Sequence, residues 1–379
     1  MKRRVSILCH TVSGNALGRA WVFAELLADD FEVELVVAAR TRDAVWAPLR
    51  EQLSGERRWF VRTWPAFHAG AAALARAHVR GDLIVAIKPR LHSYGLALAA
   101  RRVQPRPLLL DIDDWELGFF SPWKDALQAP VSWLSAASNL HTRWYFTQTR
   151  RADAISVSST DLAARFGGLW LPHARRADAF RPDSELAPEP LVMFAGTPRP
   201  HKGLGDLVQA FRRVPLATAR LRIIGVSESS RAELAPLIDG DRRIELEPPV
   251  SLAALPDQLR RAWVIAIPQR AAAPSEAQLP AKLMDAMALG KAVLSTDVGD
   301  IPKWLAGGAG VVVPPNDPQA LAGALHELLG DPARLARLGQ SARQRFMQLG
   351  SYEAVRPRLL ELVEALLAGR SAPALPMPL

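Results

Sequence analysis

Cysteine is almost absent from this chain. Cys9 is the single one in 379 residues, which excludes an intramolecular disulfide and any metal cage built from cysteines. It reads as a small buried hydrophobe in a first strand. Lysine is scarce too: seven of the 47 basic residues are Lys and the other 40 are Arg. Together with abundant Ala, that skew is one of genome composition, so the net charge of +9 does not by itself assign a nucleic-acid partner. No apolar run of about 18 residues or more escapes a charge, so no membrane-spanning helix is expected. Met1 to Arg4 leads straight into a strand rather than a signal-peptide core, and a cytoplasmic protein is expected. Also missing is a G-x-G-x-x-G following a strand, which argues against a dinucleotide-dependent dehydrogenase.

What is present is ordinary globular composition, 49% hydrophobic and 22% charged, in a chain long enough for two domains. Short apolar runs alternate with helical stretches, the pattern of parallel sheets in an α/β protein. Strands are expected at Val5–Cys9, Glu34–Ala38, Leu83–Ile87, Leu108–Ile112 and Ala154–Ser158. A second series follows at Leu191–Phe194, Leu221–Ile224, Trp263–Ile267, Lys291–Ser295 and Gly310–Val313. Between the two series, residues 173–190 hold a proline-rich stretch without periodicity and read as a linker. The domains are then 1–172 and 191–350, with a last helix at 351–370 and a disordered tail at 371–379. The first 172 residues carry 22 basic and 16 acidic residues and nine of the eleven Trp. Trp123, Trp133 and Trp144 beside Arg143, Arg150 and Arg151 suit either a core with a solvated face or peripheral contact with an anionic membrane.

Three stretches carry candidate chemistry. In SEAQLPAKLMDAMALGKAVLSTDVG, from Ser275, Pro280 suits the first turn of a helix and Gly290 its close. The free N–H groups of that helix start, at Leu279 to Lys282, would face an anion in the preceding loop. In SGNALGRAW, from Ser13, Gly14, Asn15 and Gly18 fall at the first strand-to-helix crossing, where either helix packing or approach of a ligand explains the glycines. In DIDDWELGFF, Asp111, Asp113 and Asp114 end an apolar strand, where open α/β sheets bind ligands. Grouping like charges there requires a partner cation, hydroxyl or Arg.

The second half resembles the retaining glycosyltransferases of the GT-B superfamily, in the group called family 4. The matching residues are FAGTPRPHKGLGDLVQAF, LPAKLMDAMALGKAVLSTDVGDIPKWL and GAGVVVPPNDPQALAGALHELLGDPARLARLG, in the right order over most of 191–346. The first half matches more loosely, through SGNALGRAW, DIDDWE, ISVSSTDL and LPHARRADAF. The resemblance implies an α/β fold of GT-B architecture, with two Rossmann-like parallel-sheet domains facing a central cleft. The C-terminal domain would hold a nucleotide-sugar donor and the N-terminal domain a glycan, lipid-linked or small-molecule acceptor, with the final helix crossing back onto the N-terminal domain. Neither cofactor nor metal is implied.

By the same resemblance, Arg199 and Lys202 neutralise the donor diphosphate, where leaving-group charge builds up. Asp285 matches the second acid of an E-x7-E pattern that holds ribose hydroxyls. The position eight before it is Ala277, so the first acid is either Glu276 through a shifted loop or absent. A competing reading makes Asp285 an i,i+3 partner of Lys282 on an exposed helix face; Lys282 otherwise reaches the phosphates. Asp113 and Asp114 stand where many relatives carry a His, and would hydrogen-bond acceptor or sugar hydroxyls. Gly14 and Asn15 complete the substrate-binding candidates. The expected reaction is sugar transfer to a hydroxyl with retention of configuration. The alternatives are an epimerase or phosphorylase of the same fold, or an inactive nucleotide-binding protein.

Overall fold

The computed structural model describes residues 2–39, 45–53, 58–60, 66–119, 139–182, 186–373 and 377. Trp123 and Trp133 lie outside them. The chain divides into two compact units, Met1–Pro172 with Val355–Met377, and His173–Ala354 with the last two residues.

The first unit is built on β1 (Arg4–Cys9), β2 (Glu32–Ala39), β3 (Arg58–Phe60), β4 (Leu83–Ile87), β5 (Leu108–Ile112), β6 (Ala154–Val157) and β7 (Leu169–Trp170). They form one sheet in the order β3-β2-β1-β4-β5-β6-β7, and every pairing is parallel. Helices cover the sheet, so β4 and β5 are buried along their whole length, as their unbroken apolar runs require. The order reverses between β1 and β4. In a doubly wound sheet, that point is where the chain opens a crevice at the carboxyl ends of the strands.

The second unit repeats the plan with β8 (Leu191–Ala195), β9 (Arg220–Ile224), β10 (Ile244–Glu247), β11 (Val264–Ile267), β12 (Ala292–Thr296) and β13 (Val311–Val313). Their order is β10-β9-β8-β11-β12-β13, again parallel, with the reversal between β8 and β11. The Asp-Pro helix starts act as caps. Asp317 Oδ1 accepts from the N–H groups of Gln319 and Ala320 at 3.0 and 2.9 Å, and Asp331 Oδ1 from Arg334 at 2.8 Å, each meeting orphan donors of a first turn.

Each of the ten expected strands is present within two residues of its expected ends. The unforeseen β3, β7 and β10 all lie at sheet edges and are three, two and four residues long, too short to show as an apolar run. The described residues of 173–190, a stretch expected as a linker, pack with the second unit: Phe180 and Ala187 are buried, Arg175 N–H donates to Gly350 O at 3.0 Å and Ala187 N–H to Arg261 O at 3.0 Å. The last helix, Tyr352–Leu367, is counted with the first unit from Val355 onward. Arg356 binds Asp30 there, and Arg358 lies 5.5 Å above the Trp170 ring. Among the described residues no helix is long and apolar enough to cross a membrane.

Candidate active site

In the second unit the site candidates gather at the carboxyl end of β8. Gly196 follows the strand at φ 128°, and the chain turns back so that Lys202 Nζ donates to Thr197 O at 2.9 Å. Nζ lies 3.7 Å from where a Cβ on Gly196 would sit. Arg199, exposed, opens the single turn Pro200–Lys202. Gly203 closes it in the left-handed region at φ 64°, with a Cβ position only 1.7 Å from Pro268 O. Only glycine lets this turn rest on the end of β11, where Arg270 N–H donates to His201 O at 2.9 Å. Gly203→Ala is therefore expected to displace the Lys202 turn, at a cost of about 1–3 kcal/mol in backbone strain before the clash is counted. An unchanged unfolding midpoint together with unchanged nucleotide binding would contradict that.

Lys282 comes to the same strand end from the helix Ala281–Ala288. Its side chain is buried, with Nζ 3.8 Å from the centroid of the Phe194 ring and no hydrogen-bond partner among the described residues. Burial, and then the neighbouring Lys202, press its ammonium well below the ordinary lysine range. Asp285 lies one turn further on but is not its partner: Asp285 is 4% exposed and takes Arg175 Nε at 2.5 Å. Burial raises the Asp285 carboxyl and the Arg175 guanidinium opposes the rise. The exposed i,i+3 pair anticipated from spacing is thus replaced by a buried pair with Arg175.

Glu276 is exposed, and its Oε2 accepts from Gly299 N–H at 2.9 Å. Ala277, at the place of the first acid, is fully buried. Gln269, at the carboxyl end of β11, is also fully buried, and neither Oε1 nor Nε2 has a hydrogen-bond partner among the described residues.

In the first unit the carboxylates of DIDD separate into two environments. Asp111 belongs to the core. Arg19 binds it through Nε at 2.9 Å and Nη2 at 2.8 Å and also donates to Pro172 O and Leu171 O, while Ser156 Oγ donates to Asp111 at 2.8 Å. Asp113 and Asp114 face Lys88, which follows β4 with a left-handed φ of 64°, uncommon outside glycine and Asn. Lys88 Nζ lies 2.5 Å from Asp114, 2.7 Å from Glu116 and 3.5 Å from Asp113. Burial works against the Lys88 charge, but Asp113, Asp114 and Glu116 outweigh it and hold its ammonium well above the usual value. Glu116 shows the converse: burial raises it, and Lys88 and Arg90 overcome that and bring it down to about 2. Burial drives the Asp113 carboxyl up to about 7, against the pull of Lys88.

His10, after β1, completes this edge. Burial, then Arg90, lowers its imidazole to about 3, and Nδ1 has no hydrogen-bond partner among the described residues. Cys9, one residue earlier, is pushed up to about 12 by burial, which removes it as a nucleophile at neutral pH. Gly14 and the exposed Asn15 precede the helix Ala16–Leu27. A Cβ at Gly14 would meet Thr11 Cγ2 at an ordinary 3.4 Å, whereas one at Gly18 would meet the Trp46 ring at 3.0 Å, so helix packing accounts for Gly18.

The structure thus brings Lys202 and Lys282 together in one unit, and Asp113 and Asp114 together in the other. His10, Lys88, Arg90, Arg175 and Gln269 were not singled out from the sequence. One available signal was the scarcity of lysine: Lys88, Lys202 and Lys282 are three of only seven.

Residues 189–331 match the family described as glycosyl transferases group 1. A D-inositol 3-phosphate glycosyltransferase of Kineococcus radiotolerans is 33% identical over 202 residues, 48% of this chain and 46% of the relative. The chain thus spans about half the length of the curated relatives it matches. Among solved structures, the sucrose-phosphate synthase of Thermosynechococcus elongatus superposes with a TM-score of 0.76 at 19% identity, over 97% of this chain and all of the other. The Anabaena protein HepE in complex with UDP-glucose superposes with a TM-score of 0.74 at 15% identity, over 96% and 100%. These likenesses establish the fold as GT-B.

Proposed function

We propose that this chain, a GT-B protein with a glycosyl transferases group 1 region at residues 189–331, moves a sugar from a nucleotide-diphosphate donor to an acceptor hydroxyl with retention and without a metal. The observation that carries this reading is the convergence of Lys202 and Lys282 at the end of β8, at the reversal point of the second sheet. Lys282 Nζ is buried without a hydrogen-bond partner among the described residues, and its charge, disfavoured by burial and by the neighbouring Lys202, becomes favourable once an anion joins it. A diphosphate leaving group supplies that anion, and its charge grows as the bond to the anomeric carbon breaks. The N–H groups at the start of the Ala281–Ala288 helix add to the same field. The acceptor hydroxyl then bonds to the anomeric carbon on the face the diphosphate leaves, and its proton passes to the departing phosphate oxygen. Asp113 and Asp114 serve the hydroxyl-binding side rather than proton transfer.

The test is incubation with a panel of nucleotide sugars and candidate acceptors, followed by NMR of the products. The expected result is release of a nucleoside diphosphate and a glycoside that keeps the donor's anomeric configuration. Free sugar phosphate, an epimerised nucleotide sugar, or tight nucleotide binding with no turnover would favour the phosphorylase, epimerase or inactive readings respectively.

The acceptor side also supports peripheral contact with an anionic membrane. Trp144 is 60% exposed and stands near the exposed Arg143, Arg150 and Arg151, a pairing of interfacial aromatic and basic groups. Co-sedimentation with phosphatidylserine-containing vesicles is expected at low salt, falling as salt rises. Negligible binding even at low salt would contradict this contact.

A further inference from the structure

The hydroxyl-binding edge of the first unit has a charge pattern that the reading above does not use, and the inference that follows rests on that reading. His10, Lys88 and Asp113 follow β1, β4 and β5 respectively, so they stand together at the reversal point of the first sheet. Among the described residues the cations of this edge are Lys88 and Arg90, and both are engaged. Lys88 holds Asp114 and Glu116 and approaches Asp113; Arg90 lies 3.3 Å from Glu116 and donates to Thr142 Oγ1 at 2.7 Å. What remains unused is acceptor capacity. The Asp113 side chain, 2% exposed, has its Oδ1 buried without a hydrogen bond, and His10 Nδ1 is likewise without a partner among the described residues. The imidazole stays neutral because burial and Arg90 disfavour its charge. Lys88 keeps a left-handed backbone at φ 64°, a conformation that persists where surrounding structure enforces it and that clusters at functional sites.

We propose that this edge binds the hydroxyl groups of an uncharged polyol or sugar and excludes phosphomonoesters. Hydroxyls donate to the buried Asp113 oxygen and to His10 Nδ1, removing the cost of leaving buried acceptors unmet. A phosphate dianion placed there faces Asp113, Asp114 and Glu116 with Lys88 and Arg90 already paired, and like charges set against one another are strongly disfavoured. The acceptor class therefore differs in charge from the phosphorylated inositol that names the curated relatives.

The experiment uses the full chain with whichever of UDP, GDP, ADP and TDP binds held saturating, so that the lysine pair of the second unit is occupied. Matched probes are titrated by saturation-transfer NMR: myo-inositol against myo-inositol 1-phosphate, glucose against glucose 6-phosphate, and glycerol against glycerol 3-phosphate. At least one neutral probe is expected to bind at least about tenfold more tightly than its phosphorylated partner. Asp113→Asn should weaken the neutral probe, and the double variant Asp114→Asn, Glu116→Gln should narrow the ratio. Circular dichroism and nucleotide binding of each variant separate a lost site from a lost fold. Tighter binding of a phosphorylated member, no neutral binding in any pair, or a preference indifferent to these variants would overturn the proposal. Failure of UDP, GDP, ADP and TDP alike to bind in the control titration would instead count against nucleotide-sugar transfer.

Discussion

Lys202→Ala is expected to lower donor turnover and kcat/KM together, by about 30- to 1,000-fold, while the melting temperature without nucleotide hardly moves. Lys202 Nζ sits on an exposed turn against the Thr197 carbonyl, so it contributes little to a core. In the transition state it would meet the charge arriving on the diphosphate, and removing one such contact is worth about 2–4 kcal/mol. Arginine at this position should rescue in part only, because a planar fork on a longer side chain does not occupy the place of a compact ammonium. Near-normal turnover, or a loss accounted for by unfolding, would take Lys202 out of the site.

Arg19→Met is expected to have the largest effect on stability, about 3–5 kcal/mol from the first unit. Arg19 and Asp111 are 1% and 0% exposed, and the guanidinium also satisfies two carbonyls at the end of the unit's chain, Leu171 and Pro172. Its loss strands a carboxylate in a fully buried setting, with Ser156 Oγ the donor that remains to it among the described residues. The double variant Arg19→Met, Asp111→Leu should recover a large part of the loss, since an apolar pair of similar volume needs no charge compensation. Denaturant unfolding of the two single variants and the double variant closes the cycle. Additive losses would contradict the pairing.

The alternation of both sheets was legible because buried parallel strands need unbroken apolar runs, and LIVAI and LLLDI have them. The edge strands β3, β7 and β10 were not; IELE, for one, buries only Ile244 fully. Lys202 stood out as a candidate through the turn that holds it. Asp285 did as well, but its partner did not: Arg175 is 110 residues away in sequence, and no local spacing encodes such a pair. A fall in nucleotide affinity on Asp285→Asn would therefore mix any ribose contact with the loss of a buried pairing, and carries less weight than the lysine variants. Lys88 escaped for a related reason. The sequence showed that DIDD needed a counter-charge, and the sheet order, which sets β4 beside β5, decides which cation provides it.

Lys202 and Lys282 are proposed to form a diphosphate site in the second unit. Its most direct measurement is calorimetric titration of chelator-treated protein with UDP, GDP, ADP and TDP, repeated for Lys282→Met. One of the four is expected to bind without added metal, with affinity that falls as salt rises, and Lys282→Met should weaken it at least about tenfold. Binding that vanishes on chelation and returns with magnesium, or that is unaltered in Lys282→Met, would contradict the account.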